Sequence, residues 1–167
     1  MRPLLSVSLA AALAVVSTAA QAQISSPGQH PQGPELEPHL ILTPFDPGDS
    51  LALGLGFRGT WQIGRNNFVD SINNSVGVGV GIDWLPYRLR HGDCCGGGLA
   101  VPLMLQWSFY LTRSWSLFLE PGLVGYIDDG IDVRWALQLG ARWHFGASTA
   151  LTLRVGYPYT SLGVSFM

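Results

Sequence analysis

One glycine-rich stretch of the sequence carries four residues whose side chains bind metal ions or form disulfides. They are His91, Asp93, Cys94 and Cys95. Adjacent cysteines cannot both close a tetrahedral metal site without strain, and the chain has no CxxC spacing. Three readings stay open: a structural disulfide or incidental thiols, a redox or intermolecular link, and a metal site. The first is our expectation, with Cys94 and Cys95 as loop thiols and no bound metal.

Glycines at positions 54, 56 and 59 match the string of a dinucleotide-binding fingerprint. That fingerprint works only in a turn between a strand and a helix, where the backbone approaches a pyrophosphate. Here the glycines lie inside an alternating segment that predicts a strand, and no helix follows. The sequence therefore predicts no nucleotide site and no cofactor. Gly54 and Gly56 are interpreted as interior positions where a side chain would not fit.

A hydrolase needs a nucleophile beside a base, and the chain contains serine, histidine and glutamate. No GxSxG elbow occurs. His144 follows Trp143 and lies on the polar face of a predicted strand. His39 lies in the weakest predicted strand. We therefore predict no catalytic residue and a non-enzymatic protein. An outer-membrane lipid-modifying enzyme is kept as the alternative.

The elements that position these residues are segments in which apolar and polar residues alternate with a period of two, the pattern of β-strands. In residues 131–145, for example, Leu137 and Leu139 share one face, and Arg134 and Gln138 share the other. Seven strands are predicted, at residues 51–63, 75–84, 99–111, 115–126, 131–145, 150–157 and 161–166. An eighth strand is expected at residues 39–45, because an antiparallel barrel of this kind closes with an even number of strands.

The composition of the two faces decides between a soluble barrel and a membrane barrel. The apolar faces carry no charged residue, and the polar faces are rich in Gly, Ala and Ser, which suit the narrow interior of an eight-stranded barrel. Charged residues are 12% of the chain, about half of the ~25% usual in soluble domains, and are too few to cover a soluble surface. We predict an all-β fold: an antiparallel, up-and-down transmembrane β-barrel of eight strands with its apolar faces outward.

Charges on the polar faces would then lie in the barrel lumen, where a poorly hydrated interior requires partners. The predicted lumen charge network consists of Arg58, Asp83, Glu120, Asp132, Arg134, Arg142, His144 and Arg154. Distances from a hairpin turn near residues 128–130 predict that Glu120 pairs with Arg134 or Arg142 and lies farther from Arg58. A plug of salt bridges is expected, with a gated narrow pore and a catalytic Glu–His pair as alternatives.

Large aromatic residues occur near the predicted strand ends, as in the two aromatic girdles of a membrane barrel. Near one rim are Trp61, Phe109, Trp115, Trp143 and Phe166, and near the other are Trp84 and Trp135. Short turns at residues 113–114 and 146–148 fit the periplasmic side. The longest connection, residues 85–98, fits the outer side.

The N-terminus predicts export. Arg2 precedes an apolar run at residues 4–16, and Ala20-Gln21-Ala22 fits a cleavage site, so residues 1–22 are interpreted as a signal peptide. Residues 23–37 are rich in Pro, Gly, Gln and Ser and predict a flexible leader before the barrel at residues 38–167. A net charge of −2 without a basic run gives no electrostatic support for nucleic-acid binding.

The strand pattern, the aromatic girdles and the signal peptide together resemble the small outer-membrane barrels of the OmpA membrane domain and OmpX type, over roughly residues 38–166. The resemblance implies a monomer in the outer membrane of a Gram-negative bacterium, surrounded by outer-membrane lipid. It also implies recognition of the C-terminal strand, which carries Phe166, by the barrel assembly machinery.

The function expected from these features is envelope integrity or surface binding through the connection at residues 85–98, with the lumen closed by Arg–carboxylate pairs. The alternatives are the lipid-modifying enzyme, a narrow pore, and a soluble secreted β-barrel that binds an apolar ligand. The direction in which the apolar faces point separates the last alternative from the others.

Overall fold

The computed structural model describes residues 33–43, 52–65, 69, 72–88, 94–127 and 130–167. Within them the chain forms eight β-strands: β1 (Glu35–Thr43), β2 (Ala52–Arg65), β3 (Asn74–Arg88), β4 (Cys94–Tyr110), β5 (Trp115–Ile127), β6 (Ile131–His144), β7 (Thr149–Tyr157) and β8 (Thr160–Phe166). The predicted signal peptide and most of the predicted leader lie outside these residues. No helix in the described part of the chain is long and apolar enough to cross a membrane.

Each strand pairs antiparallel with the next, and β8 returns to pair with β1, so the sheet is a closed barrel. This confirms the predicted all-β, up-and-down barrel of eight strands. The end that holds the start of β1 and the end of β8 is called the lower rim, and the end that holds Arg88 and Ile131 is called the upper rim.

Two predicted boundaries differ from the structure. β1 begins at Glu35, inside the segment that its composition predicted to be a flexible leader, because the alternation of polar and apolar residues continues through Pro38. The predicted long connection at residues 85–98 is mostly strand, since β3 extends to Arg88 and β4 starts at Cys94, with Tyr87 opposite Cys94. Glycine-rich composition predicts a loop there, but the two strands pair on either side of a register shift between Leu85 and Tyr87.

The apolar faces point outward, which confirms the predicted orientation of the two faces. Leu139 is 59% exposed, whereas the neighbouring Gln138 is 1% exposed. The same alternation holds in β7 and β8, where Leu151, Leu153 and Leu162 are exposed. A soluble barrel that binds an apolar ligand needs the opposite arrangement, and this burial pattern contradicts that alternative.

The wall of the barrel is uneven at the upper rim. β6 pairs with β7 only from Leu137 to His144, while its first residues, from Ile131, pair with β5 alone. The turn that joins β7 to β8 therefore lies well below the tip of the β5–β6 hairpin. Tyr159 in this turn is fully buried, so the turn packs its side chain into the lumen.

Candidate functional site: a charged barrel lumen

The centre of the lumen is occupied by a carboxylate that binds two arginines. Glu120 on β5 is fully buried, and its Oε2 accepts hydrogen bonds from Arg58 Nη1 on β2 and from Arg154 Nε on β7, each at 2.8 Å. All three side chains point inward because each lies on the polar face of its strand. The two guanidinium groups reach the same oxygen because the lumen of an eight-stranded barrel is narrow enough for side chains to cross it.

A second carboxylate extends this arrangement to β1. Arg154 also donates to Glu37 Oε1, and the other Glu37 oxygen accepts a hydrogen bond from Ser165 on β8 at 2.8 Å. Arg154 thus joins strands that lie on both sides of it around the wall. Hydrogen bonds to charged groups are stronger than those between neutral groups, so this arrangement holds β1, β5 and β7 together from inside.

A third carboxylate binds the β7–β8 turn. Asp83 on β3 accepts a hydrogen bond from the hydroxyl of Tyr159, and its other oxygen lies 3.0 Å from Nε2 of His39. Tyr159 also lies within 3.3 Å of Arg58 Nη2, and its backbone carbonyl accepts a hydrogen bond from Gln138 at 3.1 Å. The turn is therefore held in the lumen by contacts from three different strands.

These side chains form what we call the central lumen cluster: Glu37, His39, Arg58, Asp83, Glu120, Gln138, Arg154 and Tyr159. A smaller set lies toward the lower rim, where Arg142 pairs with Glu35 at 2.7 Å and donates to Gln106 at 3.0 Å. The guanidinium of Arg142 also lies 4.4 Å from the ring centre of Phe118, a cation–π contact.

The structure places seven of the eight sequence-predicted lumen residues in two groups. Arg58, Asp83, Glu120, Arg142 and Arg154 are buried in the lumen. Two others, Asp132 and Arg134, are wrongly assigned to it. They pair with each other at 2.7 Å near the upper rim with side chains 60% and 44% exposed, because β7 pairs with β6 only from Leu137 onward and no described strand lies beside them on that side.

His144 lies at the lower rim, half-buried, outside the central cluster. Its Nε2 is 3.0 Å from the hydroxyl of Ser116. Ser116 is fully buried on the inner side of the wall, whereas the lipid-modifying alternative needs its nucleophile at the outer surface. This contact is therefore a poor candidate for that chemistry.

The pairing predicted for Glu120 is also wrong. Gln138 lies directly opposite Glu120 in the β5–β6 register, and Arg134 and Arg142 lie four residues to either side of it. Distance along a hairpin identifies neighbours within the wall, but the partners of Glu120 lie across the lumen.

Three cluster members were missed because Glu37 and His39 were assigned to a leader and a weak strand, and Tyr159 to a turn. Continued alternation through residues 35–42 is the signal that reveals the first two.

The residues predicted to form the aromatic girdles lie toward the two ends of the barrel. Trp61, Trp115, Trp143 and Phe166 are outward near the lower rim, Phe109 is partly exposed there, and Trp84 and Trp135 are outward in the upper half. Trp115 and Trp143 stack with ring centres 6.5 Å apart, and Trp135 stacks on Tyr157 at 4.6 Å.

His91 and Asp93 lie outside the described residues. Cys94 and Cys95 begin β4, and no group of three or more metal-ligand side chains occurs in the described part.

Comparison with known proteins supports the fold. No family model matches the chain, and no curated protein matches it. A designed transmembrane β-barrel matches with a TM-score of 0.59 at 10% identity, over 83% of this chain and 98% of that one. The Yersinia pestis outer membrane protein Ail, solved in a phospholipid bilayer nanodisc, matches with a TM-score of 0.45 at 9% identity, over 80% of this chain and 99% of that one. The likeness to the designed barrel shows the fold alone.

Proposed function

We propose that this chain is a small non-enzymatic outer-membrane barrel of a Gram-negative bacterium, exported through its signal peptide, with its lumen closed by the central lumen cluster. The observation that carries this proposal is the position of Glu120, which is fully buried and bound by Arg58 and Arg154 from two other strands. Its role is to strengthen the envelope or to present its upper rim for binding.

The outward belt of apolar and aromatic side chains supports the membrane setting. Exposed Leu, Val, Ile and Trp residues on every strand would be a large aggregation hazard in water, but they match the hydrocarbon of a bilayer. In the described part of the chain each strand pairs with a neighbour on both sides, as a membrane-spanning sheet requires.

The ion pairs support closure of the lumen against the alternative of a narrow pore. Arginine and carboxylate side chains from β1, β2, β5 and β7 cross the lumen at one level and pair with each other. An ion passing this level would have to break contacts that compensate buried charges, and each broken contact leaves a costly unpaired charge.

Electrical recording tests the proposal. The full chain is refolded in detergent and added to a planar lipid bilayer at neutral pH, and wild type is compared with Glu120→Gln and with the rim control Asp132→Asn. We expect insertion without steady ion current for wild type and the control, and open events for Glu120→Gln. Steady current through the wild-type barrel would contradict a closed lumen and favour the pore, and failure of wild type to insert would contradict the membrane barrel.

A further inference from the structure

The upper part of β6 has a strand neighbour on one side only. Residues 131–136 pair with β5, whereas pairing with β7 begins at Leu137. Along the other edge of this segment, no strand of the described residues accompanies it. The backbone N–H and C=O groups of a strand edge are a template for pairing with another strand. We call residues 131–136 the open edge.

The open edge lies above the hydrocarbon of the bilayer. Trp135 is outward in the upper half, and tryptophan rings of this kind mark the level of the lipid headgroups. Asp132 and Arg134 form an exposed ion pair beyond it, which would be costly inside hydrocarbon. Backbone groups that face lipid without hydrogen bonds would be costly as well. The edge is therefore accessible from the side to which the proposed function presents the upper rim.

The order of residues along the open edge is complementary to itself. When two copies pair antiparallel with Val133 opposite Val133, Asp132 of each copy lies opposite Arg134 of the other. Ile131 of each copy then lies opposite Trp135 of the other. Residues opposite each other share a face, with Cβ atoms about 4.5–5.5 Å apart, and unlike charges and aromatic–aliphatic pairs both stabilise such a ladder. The edge therefore fits a second copy of this chain.

Other alignments of the two edges are disfavoured. A shift of the antiparallel register by two residues places Asp132 opposite Asp132 or Arg134 opposite Arg134, and a parallel ladder in register does both. A shift by one residue places inner polar residues opposite outer apolar residues. The order of charges along the edge thus favours a single register of self-pairing.

The symmetry of this pairing decides where the second copy lies. The twofold axis that relates two identical antiparallel strands is perpendicular to their sheet. Because the wall of the barrel stands upright in the membrane, this axis lies in the membrane plane. The two copies therefore meet with their upper rims facing each other, from two opposing membranes. The late start of β6–β7 pairing, at Leu137, leaves room beside each open edge for β6 of the other copy.

We propose that the open edge of β6 is a self-adhesion site, through which two copies in neighbouring cells or vesicles pair as one antiparallel ladder. The inference rests on the proposed function, because it needs a membrane barrel that presents its upper rim for binding. A ladder over residues 131–135 is short and binds weakly, so adhesion depends on many copies acting together across two membranes. Each copy stays single within its own membrane.

Clustering of vesicles tests the site with the full chain. The chain is refolded into phosphatidylcholine vesicles, insertion is verified by protection of the strands from added protease, and clustering is followed by dynamic light scattering. We expect wild-type vesicles to cluster and protein-free vesicles to stay dispersed. Asp132→Arg and Arg134→Asp should each lose clustering, because like charges then meet across the ladder. The double variant that carries both changes should cluster as wild type does.

Mixing vesicles of the two single variants gives a further control. Asp132→Arg leaves two cations on the open edge and Arg134→Asp leaves two anions. Neither population should cluster alone, but the mixture should cluster because each cation then lies opposite an anion of the other copy. A mixture that stays dispersed would overturn the proposed register.

Disulfide cross-linking reads the register directly, in a chain whose two native cysteines are replaced by serine. Val133→Cys should form a disulfide between copies, because opposite residues of an antiparallel pair have Cα atoms about 4.5–5.5 Å apart, within the range of a disulfide. Ile131→Cys should not, since its counterpart lies four residues away, roughly 13 Å along the strand. Mixed vesicles of Ile131→Cys and Trp135→Cys should cross-link. Non-reducing electrophoresis measures the dimer in each case.

The outcomes separate this inference from the function on which it rests. A wild-type chain that does not insert would contradict the membrane barrel. Inserted wild-type vesicles that stay dispersed would leave the membrane barrel intact and overturn the self-adhesion site, as would equal cross-linking of Val133→Cys and Ile131→Cys. If the charge variants do not fold, the cysteine variants still decide the matter, because they leave both charges of the edge unchanged.

Discussion

Arg58 Nη1 and Glu120 Oε2 lie 2.8 Å apart, although their strands, β2 and β5, are not neighbours in the barrel wall. The contact crosses the lumen and ties distant parts of the sheet together. A connection of this kind is worth more to the closed barrel than a pair within one hairpin, because it resists opening of the sheet as well as separation of two strands.

Glu120→Ala should reduce the stability of the barrel strongly. Removing one partner of a buried ion pair costs about 3–5 kcal/mol because the remaining charge is left uncompensated, and here two arginines lose a partner. Unfolding by urea from lipid vesicles measures the loss. Combining Glu120→Ala with Arg58→Met should recover part of it, and the exposed Asp132→Ala should change stability little. Simple additivity in the double variant would count against the pairing.

Leu139→Arg should be far more harmful than Ile131→Arg. Leu139 faces outward near the middle of β6, whereas Ile131 is at the upper rim and is 80% exposed. An arginine facing lipid costs about 2–4 kcal/mol at the bilayer midplane and about 0–1 kcal/mol near the interface. Stability in vesicles measures both variants, with Leu139→Ala as the control for lost side-chain volume. Equal losses at the two positions would contradict a bilayer around β6.

Gly140→Ala should destabilise the barrel by about 1–3 kcal/mol through overpacking. Gly140 is paired with Phe118 across β5 and β6, and a Cβ at this position would overlap the aromatic ring. Gly125→Ala is the matched control, since its Cβ would lie 3.9 Å from the nearest atom, the backbone oxygen of Val101. Thermal unfolding compares the two, and Phe118→Leu should relieve the loss at Gly140. A harmless Gly140→Ala would show that the ring is not seated there.

Cys94 and Cys95 test which rim faces the cell exterior. They begin β4 at the upper rim, away from the chain end that carries Phe166. After mild reduction, a membrane-impermeant thiol reagent should label them on intact cells, and Cys94→Ser with Cys95→Ser should abolish the signal. Labelling that appears only after lysis would reverse the orientation.

Most of the fold was predictable because period-two alternation is a local property. Leu137, Gln138 and Leu139 show their faces without any knowledge of the partner strands. Glu35 was missed because the Pro, Gly, Gln and Ser content of residues 23–37 was given more weight than the alternation around it. Since proline is tolerated in strands at positions that need no N–H donor, composition alone misjudged that boundary.

The partners inside the lumen were not predictable from the sequence. The alternation of polar and apolar residues assigned Arg58, Glu120 and Arg154 to the interior. Which of these side chains contact each other depends on strand tilt and on the narrow diameter of the closed barrel. The alternation also assigned Asp132 and Arg134 to the lumen wrongly, because exposure at the rim depends on the height of the neighbouring strand. That height is set by the short β7–β8 hairpin, a feature of the whole sheet.

Quenching of tryptophan fluorescence by brominated lipids tests most directly the central claim that apolar faces meet lipid while the charged cluster fills the lumen. Five tryptophans are exposed on the outer face, Trp61, Trp84, Trp115, Trp135 and Trp143, and Trp107 is partly exposed on the same face. The full chain folded into vesicles with bromine on the acyl chains should lose most of its tryptophan fluorescence, and water-soluble acrylamide should quench it weakly. Strong acrylamide quenching with no effect of the brominated lipids would contradict the claim.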